Sequence, residues 1–174
     1  MRKFCSVATV AVSAVIGSHA AHAQTSRLPA VEANVGFAAF ADEAPVEHFV
    51  VGAAPRFYVS PRVSIGPEFV YMIGPEYVRD IFLTGNIWFD FFDQPPSRIN
   101  RFTPYLVGGV GVMFHRNFLF NEGAARWFHK ETGFSGGLGL RVAVGDRWYI
   151  APEIRLGSEL HARLTAALGY RFGR

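Results

Sequence analysis

Apolar and polar positions alternate strictly through the last stretch of the chain, Leu160 to Phe172. Leu160, Ala162, Leu164, Ala166, Leu168, Tyr170 and Phe172 form one set, all apolar. His161, Arg163, Thr165, Ala167, Gly169 and Arg171 form the other, with three basic residues and no large apolar one. A period of two is the strand period, because successive side chains point to opposite faces. Thirteen residues exceed the ~5–6 of an ordinary strand. They match a tilted strand that crosses ~30 Å of hydrocarbon. Leu160, Leu164, Leu168 and Phe172 are also spaced i, i+4, and Ser158 is a possible helix cap. Gly169 argues against a helix, and so does the recurrence of the alternation elsewhere.

The same pattern predicts seven earlier strands. The first sets Val31, Ala33, Val35, Phe37 and Ala39 against Glu32, Asn34, Gly36 and Ala38. The second sets Phe49 to Phe57 against His48 to Arg56, and the third sets Val63 to Tyr71 against Ser64 to Val70. The fourth has Ile81 to Phe89 against Asp80 to Trp88. The fifth runs from Pro104 to His115, the sixth from Phe128 to Val142, and the seventh from Trp148 to Gly157. Ala41 to Val46, Ser60-Pro61-Arg62, Gly74-Pro75-Glu76, Asp93 to Arg101, Arg116 to Trp127 and Gly145-Asp146-Arg147 read as connections, with Arg116 to Trp127 the longest. No helix-length insert separates the strands, so the expected fold is all-β: an eight-stranded antiparallel up-and-down barrel, closed without edges.

The charge distribution then decides which face is inside. Glu32, Arg56, Glu68, Asp80, Glu131, Arg141, Glu153, Arg155, Arg163 and Arg171 share one face, while Lys130 stands out as a charge on the other. Glycine and alanine are frequent on the charged face of the fifth and sixth strands, which suits a narrow lumen filled by a few long side chains. Phe57, Phe89, Trp148, Tyr170 and Phe172 cluster at one set of strand ends, and Phe49, Tyr71, Phe114 and Phe128 at the other. Such paired aromatic belts mark a membrane barrel with its apolar face outward. A soluble lipocalin-like ligand-binding barrel, with a charged outer face, is the alternative. Pro55, Pro67, Pro104 and Pro152 each remove a ladder donor, and on this register all point outward, at bulges or strand ends.

Composition adds a compartment. Residues 1–23 read as a secretory signal peptide. Arg2 and Lys3 form its charged start, Val7 to Ile16 its short apolar core, and Ala21-His22-Ala23 the cleavage site. Residues 24–174 then form one outer-membrane barrel domain, with Gln24 to Pro29 as a lead-in. Losing Arg2 and Lys3 lowers the formal net charge of +3 to +1, so basicity points to no nucleic-acid partner. Cys5, the one cysteine, leaves with the peptide. Disulfides and thiolate metal sites are therefore excluded from the mature chain.

The whole mature chain resembles the small outer-membrane β-barrel family, the OmpA/OmpX-type transmembrane domain of Gram-negative bacteria. The resemblance rests on the signal peptide, the eight alternating strands, the glycine-rich run Pro104-Tyr105-Leu106-Val107-Gly108-Gly109-Val110-Gly111-Val112, and Pro152-Glu153-Ile154-Arg155. Tyr170-Arg171-Phe172 resembles the family's aromatic-x-Phe assembly signal. Gly173 and Arg174 follow it, and Ala167 stands where a glycine is usual. The signal peptide, the even strand count and the aromatic strand ends predict an outer-membrane protein with both chain ends in the periplasm, a monomer with outer-membrane lipids, the barrel assembly machinery and periplasmic chaperones as partners.

The candidate chemistry lies on the charged face. The expected lumen network is Glu153 ringed by Arg141, Arg155 and Arg163, with Arg56 and Glu68 paired on the second and third strands. Such clusters are structural far more often than catalytic, and they block a pore. Some family members are lipid A deacylases with a His-x-Ser pair. No such pair occurs here, although Ser158, Glu159 and His161 cluster. His115 and His129 flank the longest connection without a full ligand set. No cofactor or metal is expected. The reading is a non-enzymatic outer-membrane barrel, structural or surface-presenting, with a charge-plugged lumen. A lipid-modifying barrel enzyme is the alternative.

Overall fold

The structure, a computed structural model, describes residues 27–40, 46–75, 78–93, 101–118, 125–158 and 161–172. The proposed signal peptide lies outside these residues. Eight strands follow one another: β1 (Ala30–Phe40), β2 (Val46–Tyr58), β3 (Val63–Ile73), β4 (Arg79–Asp90), β5 (Phe102–Phe118), β6 (Ala125–Ala143), β7 (Trp148–Gly157) and β8 (His161–Arg171). Each pairs antiparallel with the next, and β1 pairs with β8, so the sheet closes into a barrel in chain order. The end where β1 begins and β8 finishes is called here the near end, and the opposite one the far end.

The alternation of the sequence becomes the two faces of the wall. In β7 and β8 every second residue is buried, and the intervening ones are exposed. The apolar set faces outward: Val110, Phe134, Leu138, Leu156 and Leu164 are all exposed. The charged set faces the lumen, and Glu32, Arg56, Glu68, Asp80, Arg141, Glu153, Arg155 and Arg163 are buried there. The aromatics sit where the pattern placed them. Trp148, Tyr170 and Phe172 stack in series at the near end, with centroids 4.8 and 5.2 Å apart. Phe91, Phe92 and Phe102 join that belt. At the far end Phe37 meets Phe49 edge-on at 5.7 Å. The side chain of Phe128 lies outside the described residues.

Two local expectations change. Arg116 to Trp127 is not all loop, because β5 runs on to Phe118 and β6 starts at Ala125, with a register shift between His115 and Arg116. A hairpin that rises beyond the closed wall needs paired backbone but no alternation, so its continuation is invisible to a period-two reading. The prolines are also not all accommodated at bulges or strand ends. Pro104 is, near the start of β5, where its carbonyl accepts from Phe91 N at 3.1 Å. Pro55 and Pro67 instead face each other mid-wall. The β2–β3 ladder reaches Ala53↔Phe69 and resumes at Phe57↔Ile65 without a shift. Neither proline has an N–H to give, so both cross-strand bonds of that pair are missing. Pro152 likewise interrupts β6–β7, between Gly139↔Glu153 and Val142↔Ile150.

Candidate functional site

The lumen is filled in three groups along its length. The middle group centres on Glu68, which β3 points inward opposite Thr84 of β4. One carboxylate oxygen accepts from Arg163 at 3.1 Å, and the other from Arg155 at 3.0 Å and from Asn86 at 2.9 Å. Glu153 lies beside it. It accepts from Arg155 at 2.5 Å and from the Tyr105 hydroxyl at 2.9 Å, with Arg163 4.0 Å away. Two guanidiniums thus meet two carboxylates in a lumen narrow enough for side chains from β3, β7 and β8 to touch.

The near group is built from different partners. Arg56, 0% exposed, donates to Glu32 at 2.8 Å and to Ser64 at 2.8 Å. Glu32 also accepts from the Tyr149 hydroxyl at 2.7 Å. Arg141, 1% exposed, donates to Asp90 and lies 3.6 Å from Glu32. Aromatic faces cover both cations, Trp88 under Arg56 at 4.4 Å and Tyr105 under Arg141 at 4.1 Å. The third cation, Arg27, comes from the lead-in before β1. Its guanidinium reaches Asp90, the Phe92 carbonyl at 2.7 Å and the Asp93 carbonyl at 3.0 Å. Phe172 N donates to Pro29 O at 2.9 Å and ties the same lead-in to the end of β8.

Towards the far end the lumen turns apolar, with Val50, Val70, Met72, Phe82 and Met113 packed together. Asp80 sits at that mouth between two imidazoles, His115 at 2.9 Å and His48 at 3.2 Å. His115 and His129 are register partners across β5 and β6, and the side chain of His129 lies outside the described residues. His161 is buried beside Phe40, and its Nδ1 donates to the Ser158 carbonyl at 2.6 Å, not to the serine hydroxyl. That hydroxyl accepts from Phe134 N at 3.3 Å. Ser158 and His161 are therefore not arranged as nucleophile and base.

All six residues singled out from the sequence line the lumen, but two of the expected pairs are not made. Arg141 does stand diagonal to Glu153, yet its side chain leans to Asp90 and Glu32. Arg56 pairs with Glu32, not Glu68. The reason is the barrel's narrowness. Neighbour-strand geometry sets which residues are adjacent along the wall, while long side chains reach across the lumen to strands that the sequence does not place beside them. Asp90 and Arg27 belong to the site and were missed, while Glu32, read as lumen-facing, was not assigned to the network. Asp90 was legible, since it continues the inward series Asp80, Phe82, Thr84, Asn86, Trp88. Arg27 precedes any alternation and carries no sequence signal.

Solved structures place this architecture. Neisserial surface protein A matches with a TM-score of 0.71 at 13% identity, over 83% of this chain and 97% of that one. The N-terminal β-barrel domain of Pseudomonas aeruginosa OprF matches at 0.62 and 13% identity, over 82% and 97%. Ail, the attachment invasion locus protein of Yersinia pestis, matches at 0.50 and 14%, over 83% and 97%. The fold is that of the small eight-stranded outer-membrane β-barrels. At these identities the likeness to the small outer-membrane barrels is one of fold. No family profile matches the chain, and no curated protein matches it in sequence.

Proposed function

We propose that the protein is a non-enzymatic outer-membrane barrel, structural or surface-presenting, whose lumen is closed by its own charges. The observation that carries this reading is the wall itself: an apolar outer band between two aromatic belts, wrapped around buried ion pairs. Such a surface is stable in hydrocarbon and would aggregate in water. The β5–β6 hairpin supports presentation, since it has the longest strands, 17 and 19 residues. On this reading residues 1–23 are removed on export, both ends face the periplasm, and the partners are outer-membrane lipids, assembly machinery and chaperones. The protein works as a monomer without a cofactor.

Membrane fractionation with heat-modifiable gel mobility tests the membrane assignment. A folded barrel shifts on boiling, and recovery in the soluble periplasmic fraction would reject it. A cysteine at position 124, between β5 and β6, is expected to react with an impermeant label on intact cells, and one at position 94 is not. The reverse pattern overturns the topology. In planar bilayers the refolded barrel is expected to pass no steady current, and a stable open-pore step would reject the closed lumen. Val110→Arg, outward and 62% exposed, is expected to cost about 2–4 kcal/mol in lipid. Equal stability of that variant in bilayers would reject the outward apolar face.

A further inference from the structure

The lumen charges do not balance equally along its length. The middle group has Arg155 and Arg163 against Glu68 and Glu153. The near group has Arg27, Arg56 and Arg141 against Glu32 and Asp90, one cation in excess. At the same end the carboxylate of Asp93 brings its own cation, Arg62, and Arg171 adds a further cation that donates to the Asp146 carbonyl, so neither cancels the surplus. A buried guanidinium without an anion is costly, since desolvation is then uncompensated.

The same group holds buried donors with no acceptor. Arg141 has Nη2 free of partners while its Nε only approaches Glu32, at 3.6 Å; Arg56 has Nε, Trp88 has Nε1, and Thr103 has its hydroxyl without a hydrogen bond. All four residues are 1% exposed or less. Native interiors rarely leave such groups empty-handed. Thr103 sits directly opposite Arg141 in the β5–β6 ladder, and both face the lumen. An unpartnered guanidinium nitrogen and an unpartnered hydroxyl therefore belong to neighbouring wall residues where the charge surplus is.

We propose that the near group binds one small inorganic anion of the halide class, held by Arg141 and Thr103. Water would accept from the free donors but leave the charge. One monovalent anion does both. The walls limit its size, because Trp88, Tyr105 and Tyr149 close the surroundings and are essentially unexposed, and Arg27 covers the mouth. The inference concerns the interior alone and stands whichever membrane the barrel occupies.

The refolded full chain is heated in sodium chloride and in sodium gluconate at equal ionic strength, gluconate being too large to enter. Chloride is expected to raise Tm in a saturating manner, by about 3–6 °C at tenfold its dissociation constant. Crystals soaked in bromide are expected to give an anomalous peak between Arg141 and Thr103. Thr103→Val keeps the side-chain shape, removes the hydroxyl, and is expected to weaken chloride binding about tenfold. Arg27→Gln removes the surplus charge without touching the binding pair and is expected to weaken it too. Equal Tm in the two salts, or a bromide peak elsewhere, overturns the proposal. Should Thr103→Val fail to fold, an unchanged chloride response in Arg27→Gln overturns it equally.

Discussion

The middle and near groups of the lumen face one problem, keeping guanidiniums inside a narrow barrel, and meet it differently. The middle group is balanced and mutual. Glu68 accepts from Arg155, Arg163 and Asn86, and Arg155 reaches both Glu68 and Glu153. The near group is cation-rich and leans on aromatic faces, Trp88 and Tyr105, for part of its compensation. Two of its cations come from strands β2 and β6, and the third from outside the barrel. The difference teaches that charge in a lumen is tolerated either by pairing or by covering. The two should respond unequally to the same substitution.

Glu68→Gln is the largest break. It leaves Arg155 and Arg163 sharing Glu153, and it should cost about 3–5 kcal/mol. Denaturant unfolding of the bilayer-refolded barrel measures this, and a loss below 1 kcal/mol would show that the middle group is not held by pairing. Arg27→Gln removes a cation where cations are in surplus. Its expected cost is about 1 kcal/mol, since relief of the surplus charge offsets part of the roughly 1 kcal/mol carried by each hydrogen bond lost. If both variants lose equal stability, the distinction between the groups fails. A double-mutant cycle on Arg141 and Glu153 sharpens the boundary. The two residues belong to different groups and share Tyr105, whose hydroxyl donates to Glu153 and whose ring covers Arg141, so their coupling should stay below about 1 kcal/mol, whereas Glu68 and Arg163 should couple more strongly.

The smallest effect is expected outside the wall. Arg62 and Asp93 pair in the near-end connections, both exposed. The hydrogen bond from Arg62 holds the Asp93 carboxyl below its usual range, with the Arg62 charge adding to it. A depressed carboxylate contributes order that is fully present above the ordinary value of ~3.9 and is lost as pH falls through the lower folded value. The protection of residues 91–93 against amide exchange, taken relative to the intrinsic rate at each pH, should therefore fall at acid pH before that of the strands, and Arg62→Gln should abolish that step. Protection in these residues that does not change with pH would mean the pair orders nothing.

Much of this was readable from the chain because a wall one residue thick imposes its two environments directly on sequence. Leu164 and Arg163 differ in surroundings solely by which way the pleat points them. Strand number, order and facing follow. Partner choice does not, because it depends on the width of the lumen. Arg141 stands diagonal to Glu153 on the wall and still reaches Asp90, two strands away around the ring. Arg27 was beyond reach for another reason: the lead-in gains its structure from the finished barrel mouth and has no pattern of its own. The β5–β6 extension escaped because backbone pairing outside the wall places no demand on side-chain alternation.

The interrupted seams have a mechanical consequence. Pro55 and Pro67 break the β2–β3 ladder, and Pro152 breaks β6–β7, while β1–β8 runs in unbroken register from Ala30↔Arg171 to Phe40↔His161. In a ring of eight, those two breaks lie four strands apart. They divide the barrel into two half-shells, β3 to β6 and β7 through β8 and β1 to β2, joined along opposite hinge lines. Gly66 sits at one hinge, so close to the Pro55 carbonyl that a Cβ there would come within 1.9 Å of the oxygen. The cross-section is thus free to flatten and round along one axis more easily than any other. The join between the first and last strands, where a barrel must close during assembly, is the stiffer line.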